Sequence, residues 1–184
     1  MNNRLYQENL TKAMKMLGKN KKTIFLGQTL IYGGSPMFKS MEFVPKNKIY
    51  EMPVFEDTQL GLSIGLSLEG FIPVSIFPRI DFLICATNQL VNHLDKIEEM
   101  SNNEFSAPII IRTQIGNTKP LYPGCQHCQD HTKGLKSMCK HIEVIKIKNE
   151  KEVIPSYKLA LKRAKQGKST LLVEVPTGAF GGKK

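Results

Sequence analysis

Pro53-Val-Phe-Glu-Asp-Thr-Gln-Leu-Gly-Leu-Ser-Ile-Gly-Leu-Ser-Leu-Glu-Gly70 is the stretch around which the chain is organised. It opens on a proline and sets one carboxylate, Glu56, at the mouth of an apolar run. Leu60, Ile64 and Leu68 recur at helical spacing, and Gly61 and Gly65 strip side chains from the face beside them. A glycine inside a helix costs about 1 kcal/mol against alanine. Two of them, four residues apart, predict close approach by another backbone or by a flat ligand. Gly70 and Pro73 punctuate the turn into a strand at Val74 to Phe77. Glu56 has two readings at this point. It is a first-turn carboxylate favoured by the helix dipole, or it is an acid placed for chemistry.

Working outward, Tyr6 to Leu17 carries Leu10, Ala13, Met14 and Leu17 at helical spacing and stops at Gly18. Thr23-Ile-Phe-Leu-Gly27 reads as a short buried strand. Gln28 to Pro36 follows as a glycine-rich loop, at the strand edge where open parallel sheets collect ligands; a plain surface turn is the other reading. Met37 to Met41 reads as a helical turn, Ile49 to Met52 as a short strand, and Phe82 to Met100 as one long helical segment. Strands at Pro108 to Thr113, Ile142 to Ile147 and Ser169 to Val175 complete the set. A helix at Glu152 to Lys165 and a loop-rich stretch from Gln114 to Lys136 lie between them. Strands alternating with helices, without hairpin signals, predict a single three-layer α/β domain spanning 1–184. Its sheet is mostly parallel, with helices on both faces.

The totals agree. The chain has 184 residues, 41% hydrophobic and 23% charged, which fits one soluble globular domain with a real core. No apolar run approaches the roughly 18 residues of a membrane span, and the first residues lack a signal peptide's apolar core. Four cysteines in such a chain predict reduced thiols and a cytoplasmic location. A net charge of +10 admits a nucleic-acid binder. The lysines are scattered over predicted helix faces, turns and the tail, however. That favours a solvated surface, or one suited to an acidic partner or phosphorylated ligands.

The run Pro-Val-Phe-Glu56…Gly61…Gly65…Gly70-Phe-Ile-Pro73 resembles the pyrimidine-binding domain of thiamine diphosphate enzymes. Transketolase has this domain, and the branch most resembled is the beta subunit of pyruvate and branched-chain 2-oxoacid dehydrogenases. The resemblance continues through Asp81-Phe82, Asn88 to His93, Met100-Ser101 and Pro108 to Arg112, and resumes at Gly124 and at Gln126-His127-Cys128-Gln129. It implies a transketolase-type fold and a reaction that makes or breaks a carbon–carbon bond next to a carbonyl. The small-molecule substrate is a 2-oxo acid or a ketose phosphate. Glu56 matches the glutamate that hydrogen-bonds the far ring nitrogen of the cofactor's aminopyrimidine, and such a group works best desolvated. Phe82 matches the aromatic that stacks on the pyrimidine, with Phe55 and Leu60 as further apolar surroundings. His127 matches an active-site histidine near the substrate, a proton donor or electrostatic partner. Where the family has Gln-His-Ser-Gln, this chain has Cys128.

At Gln28, counted with the cofactor-binding residues, the family usually has Gly-Glu-Asp-Val. That glutamate belongs to an acidic tunnel linking paired active sites, and an amide does not carry its proton traffic. The family binds the diphosphate and Mg2+ through a Gly-Asp-Gly motif on another domain, and no Gly-Asp-Gly occurs here. The resemblance therefore implies a companion subunit bearing that site, in a hetero-oligomer of α2β2 type.

Two other readings stand beside it. Cys125-x-x-Cys128, His131, Cys139 and His141 together offer a zinc site in which Cys-x-x-Cys is a good half-site, although Cys139-Lys-His141 is too tight for the usual second pair. The fold also suits a non-enzymatic binding module with a basic partner-binding surface.

Overall fold

The computed structural model describes residues 3–119 and 122–175; the lysine-tipped tail lies outside them. Six strands form one sheet: β1 Thr23–Gly27, β2 Ile49–Glu51, β3 Ile72–Phe77, β4 Ile110–Gln114, β5 Glu143–Ile147 and β6 Thr170–Glu174. The order is β2-β1-β3-β4-β6-β5 and every pairing is parallel. Every residue of β3 and of β6 is buried. This explains the near-continuous apolar runs: a parallel sheet covered on both faces has no wet side to alternate toward.

The two faces separate by the period of two that a strand imposes. Val74 and Ile76 of β3, Ile110 of β4 and Leu172 of β6 face one core. Into it pack Leu10, Met14 and Leu17 of α1 (Asn3–Gly18) and Val153, Tyr157 and Ala160 of α7 (Glu150–Ala164). Phe77, Ile111, Leu171 and Val173 face the other core. It is covered by Leu60 of α3 (Glu56–Leu68), by Leu83 of α4 (Ile80–Leu83) and by Leu135 of α6 (Thr132–Met138). The remaining short helices are α2 (Pro36–Ser40) and α5 (Ile97–Met100).

The segment 80–100 is helical throughout but is not one α-helix. After α4 come a 3-10 turn at Ile84–Ala86, a π turn at Gln89–His93 and a second 3-10 turn at Leu94–Lys96. The irregularity brings Asp95 inward, where it is 1% exposed. There Oδ1 accepts the backbone N–H groups of His141 and Ile142, and Oδ2 accepts that of Lys140. A regular helix with the same apolar stripe would offer no carboxylate to those amides.

The expected close approach of backbone at the α3 glycines is not found among the described residues. A Cβ added at Gly61 would lie 3.5 Å from the Gln89 side chain, an ordinary contact, and one at Gly65 would meet open space. Close approach by backbone occurs instead at Gly27, where an added Cβ would lie 2.5 Å from the carbonyl oxygen of Ile76 on β3. No helix among the described residues is long and apolar enough to cross a membrane.

Candidate active site at the carboxyl edge of the sheet

From β1 the chain runs outward to β2, then returns through α3 to β3 on the other side of β1. The strand order therefore reverses between β1 and β3, and the crevice beyond such a reversal is where open α/β sheets hold ligands. The sequence-predicted site residues all lie along this edge except one. Gln28 follows β1, Glu56 follows β2, Phe82 follows β3, and His127 lies on the long loop after β4.

Glu56 is the first residue of α3 and is 8% exposed. Gln28, 6% exposed, donates from Nε2 to Glu56 Oε1 at 3.2 Å. Phe55, at the N-cap position, is well exposed. Leu60 is the exception. It is fully buried in the second core, one turn beyond Glu56, and presents no surface at the edge. Phe82 and His127 meet edge to face, with centroids 5.4 Å apart and planes at 89°. Such a contact uses at most one face of the phenyl ring.

The His127 loop is held by groups that the sequence did not mark. Arg79 donates from Nη1 to the His127 carbonyl at 3.0 Å. Asp81 Oδ1 accepts from both the backbone N–H and the side-chain amide of Gln129, at 3.2 and 3.1 Å. Gly116 makes the approach possible, since a Cβ there would fall 1.7 Å from the His127 carbonyl oxygen and 2.5 Å from Arg79 Nη1. His127 Nδ1 is buried without a hydrogen-bond partner. The available signal for Arg79 was a lone charge directly after a buried strand.

The loop after β1 is closed by Glu51, the last residue of β2. Its carboxylate accepts three successive backbone N–H groups, from Thr29 at 2.5 Å, Leu30 at 2.7 Å and Ile31 at 3.1 Å. Thr29 has φ +60°, the left-handed conformation that turns neighbouring amides toward one anion. Beside this loop opens a cleft of about 460 Å³, bordered by Gln28, Tyr32, Glu51, Pro53 and Val54. A larger hollow of about 740 Å³ lies at the opposite, amino edge of the sheet, away from Glu56 and His127.

The zinc arrangement does not assemble. Among the described residues no three His, Cys, Asp or Glu side chains gather to hold a metal ion. Cys125 is exposed, whereas Cys128 is buried and donates its thiol to the Asn117 carbonyl at 3.5 Å.

No family model matches the chain. Over 71 residues it is 31% identical to the 2-oxoisovalerate dehydrogenase subunit beta of Bacillus subtilis (strain 168), covering 39% of this chain and 22% of that one. Over 134 residues, 71% of this chain, it is 25% identical to the pyruvate dehydrogenase E1 component subunit beta of Cyanidium caldarium, covering 39% of that protein. The chain is similar in sequence to these beta subunits over those stretches. It spans well under half the length of either. Among solved structures, the chain shares its fold with a protein described as "Split gene transketolase, inactive beta4 tetramer". The TM-score is 0.69 at 17% identity, over 94% of this chain and 51% of that one. It also shares it with transketolase from Campylobacter jejuni, at TM-score 0.73 and 11% identity, over 95% of this chain and 26% of the other. The single α/β domain with an all-parallel sheet is thus a transketolase-type fold.

Proposed function

We propose that residues 1–184 are the pyrimidine-binding domain of a thiamine diphosphate-dependent enzyme and act with a companion chain that carries the diphosphate and Mg2+ site. The observation that carries this reading is Glu56: a carboxylate 8% exposed, at the crevice between β1 and β3, with its Oε1 held by Gln28. The residues present fit the cofactor's pyrimidine end. A nearly buried carboxyl group, an aromatic with a free face and an exposed Phe55 are the donor and apolar surfaces that a flat, nitrogen-bearing ring requires. Sequence similarity to the beta subunits supports the reading.

Thiamine diphosphate, when bound, supplies a carbon nucleophile for making and breaking bonds next to a carbonyl. Glu56 holds a proton at the far ring nitrogen of the pyrimidine and exchanges it there. Gln28 fixes the direction of the carboxylate, and Leu60 supports it from the core. Phe82 offers its free face to the ring plane, and Phe55 excludes water once the companion chain closes over it. His127, braced by Arg79 and Asp81, places its Nε2–H where a substrate oxygen would lie. The substrate class is a 2-oxo acid or a ketose phosphate.

The test is hydrogen–deuterium exchange at the thiazolium carbon in the enzyme reassembled with its companion. Glu56→Gln keeps the size and the hydrogen bonding but cannot move a proton, so exchange should slow by roughly 10²-fold or more. Asp57→Asn should cost far less, because neighbouring helical residues point to different faces. Equal exchange in wild type and Glu56→Gln would leave Glu56 as a helix-start carboxylate and end the reading.

A further inference from the structure

Arg79 stands out among the described arginines. Arg4 pairs with Glu8 and Arg112 with Glu174, and Arg163 spends two nitrogens on Thr170 and Ser169. Among the described residues Arg79 makes a single hydrogen bond, Nη1 to the His127 carbonyl, and no Asp or Glu oxygen lies within 4.0 Å of its nitrogens. Its side chain is half-buried at the carboxyl edge, between β3 and the His127 loop. Asp81, two residues on, forms no ion pair with it and directs Oδ1 to Gln129. A guanidinium carries five N–H donors in a planar fork, and four remain to be used. Nε and Nη2 are not among the buried nitrogens left without a partner, so they stay open at this edge to solvent and to a ligand.

We infer that Arg79 binds the oxyanion of a small substrate, a carboxylate or a phosphate group, beside His127. The fork geometry matches both groups in bidentate fashion. The Nη1 bond and the space left by Gly116 already hold the side chain in place, so little ordering remains to be lost on binding. The inference rests on the proposed function only in naming the anion's bearer as the substrate. The anion comes from one of two sources, the carboxylate of a 2-oxo acid or the phosphate of a phosphorylated sugar, and the two are separable.

The experiment titrates the chain with pyruvate, with inorganic phosphate and with the neutral ester methyl pyruvate at constant ionic strength. It follows the Arg79 Nε–Hε and His127 amide resonances. The anions should give saturable shifts and methyl pyruvate should give none. Tighter saturation by pyruvate assigns a carboxylate subsite, and tighter saturation by phosphate assigns a phosphate subsite. Arg79→Gln should weaken the anion at least tenfold, while Arg79→Lys, which keeps the charge without the fork, should retain part of the affinity. No saturable shift in wild type, equal response to methyl pyruvate, or unchanged affinity in Arg79→Gln would each overturn the inference. So would equal loss in both variants accompanied by a displaced His127 amide, since the guanidinium would then only brace the loop. No thiamine compound is present, so this result and the Glu56 exchange result can fail separately.

Discussion

The side-chain amide of Gln28 donates to the carboxylate of Glu56 at 3.2 Å, joining the end of β1 to the start of α3 across 28 residues of sequence. This is the one side-chain hydrogen bond that Glu56 makes among the described residues. Gln28→Leu removes it and leaves the carboxylate to find its own direction. A hydrogen bond to a charged group contributes about 1.5–3 kcal/mol. At 3.2 Å the bond is long for a charge-assisted one, which places it at the lower end of that range, so thiazolium exchange in the assembled enzyme should slow by roughly tenfold, a smaller loss than in Glu56→Gln. A Gln28→Leu enzyme as slow as Glu56→Gln would mean that the amide takes part directly.

The chain alone should bind thiamine diphosphate and Mg2+ weakly or not at all, because it has no Gly-Asp-Gly. Calorimetry on the purified chain checks this, and adding the companion should restore binding. Tight binding by the isolated chain would remove the divided site.

Asp95 governs an acid-sensitive part of the fold. Burial pushes its carboxyl pKa up, but the amides of Lys140, His141 and Ile142 and the Lys96 ammonium together outweigh burial and hold it below its usual value of 3.8. A group depressed on folding stabilises fully above its unfolded value. That stability is lost as the pH falls below 3.8 toward the lower folded value. Asp95→Asn should cost about 1.5–3 kcal/mol near neutral pH, and its melting temperature should fall less steeply in acid than that of wild type. Parallel acid limbs for the two proteins would refute the assignment.

Arg112 and Glu174 form an ion pair with side chains 0% and 1% exposed, and Tyr157 and Ser40 complete its hydrogen bonds. Removing one member of such a pair strands the other charge and costs about 3–5 kcal/mol. Glu174→Leu and Arg112→Met should each destabilise by that order in denaturant titrations. The double variant should recover a large part of the loss, whereas additive losses would show that the two charges act independently.

The strands were legible because two-sided burial writes them as continuous apolar runs, and Glu56 and His127 could be singled out as candidates because each stands in a short motif. What escaped was contact between distant residues. Nothing local in Leu26-Gly27-Gln28 announces Glu56, and nothing in Pro78-Arg79-Ile80 announces the His127 carbonyl. The irregular turns around Asp95 were hidden for a related reason. The apolar stripe of 80–100 satisfies a plain helix, and only the distant amides of Lys140 to Ile142 explain the departure.

Glu51 bears on where phosphate can go. A loop with Gly33 and Gly34 after the first strand of a parallel sheet looks like a phosphate cradle, yet three of its amides are already spent on that carboxylate. A tethered anion competes at an effective concentration on the order of millimolar or above. It needs no diffusion to return. The loop is thus a lock that carries its own key, and a free phosphate group would have to evict a resident that never leaves.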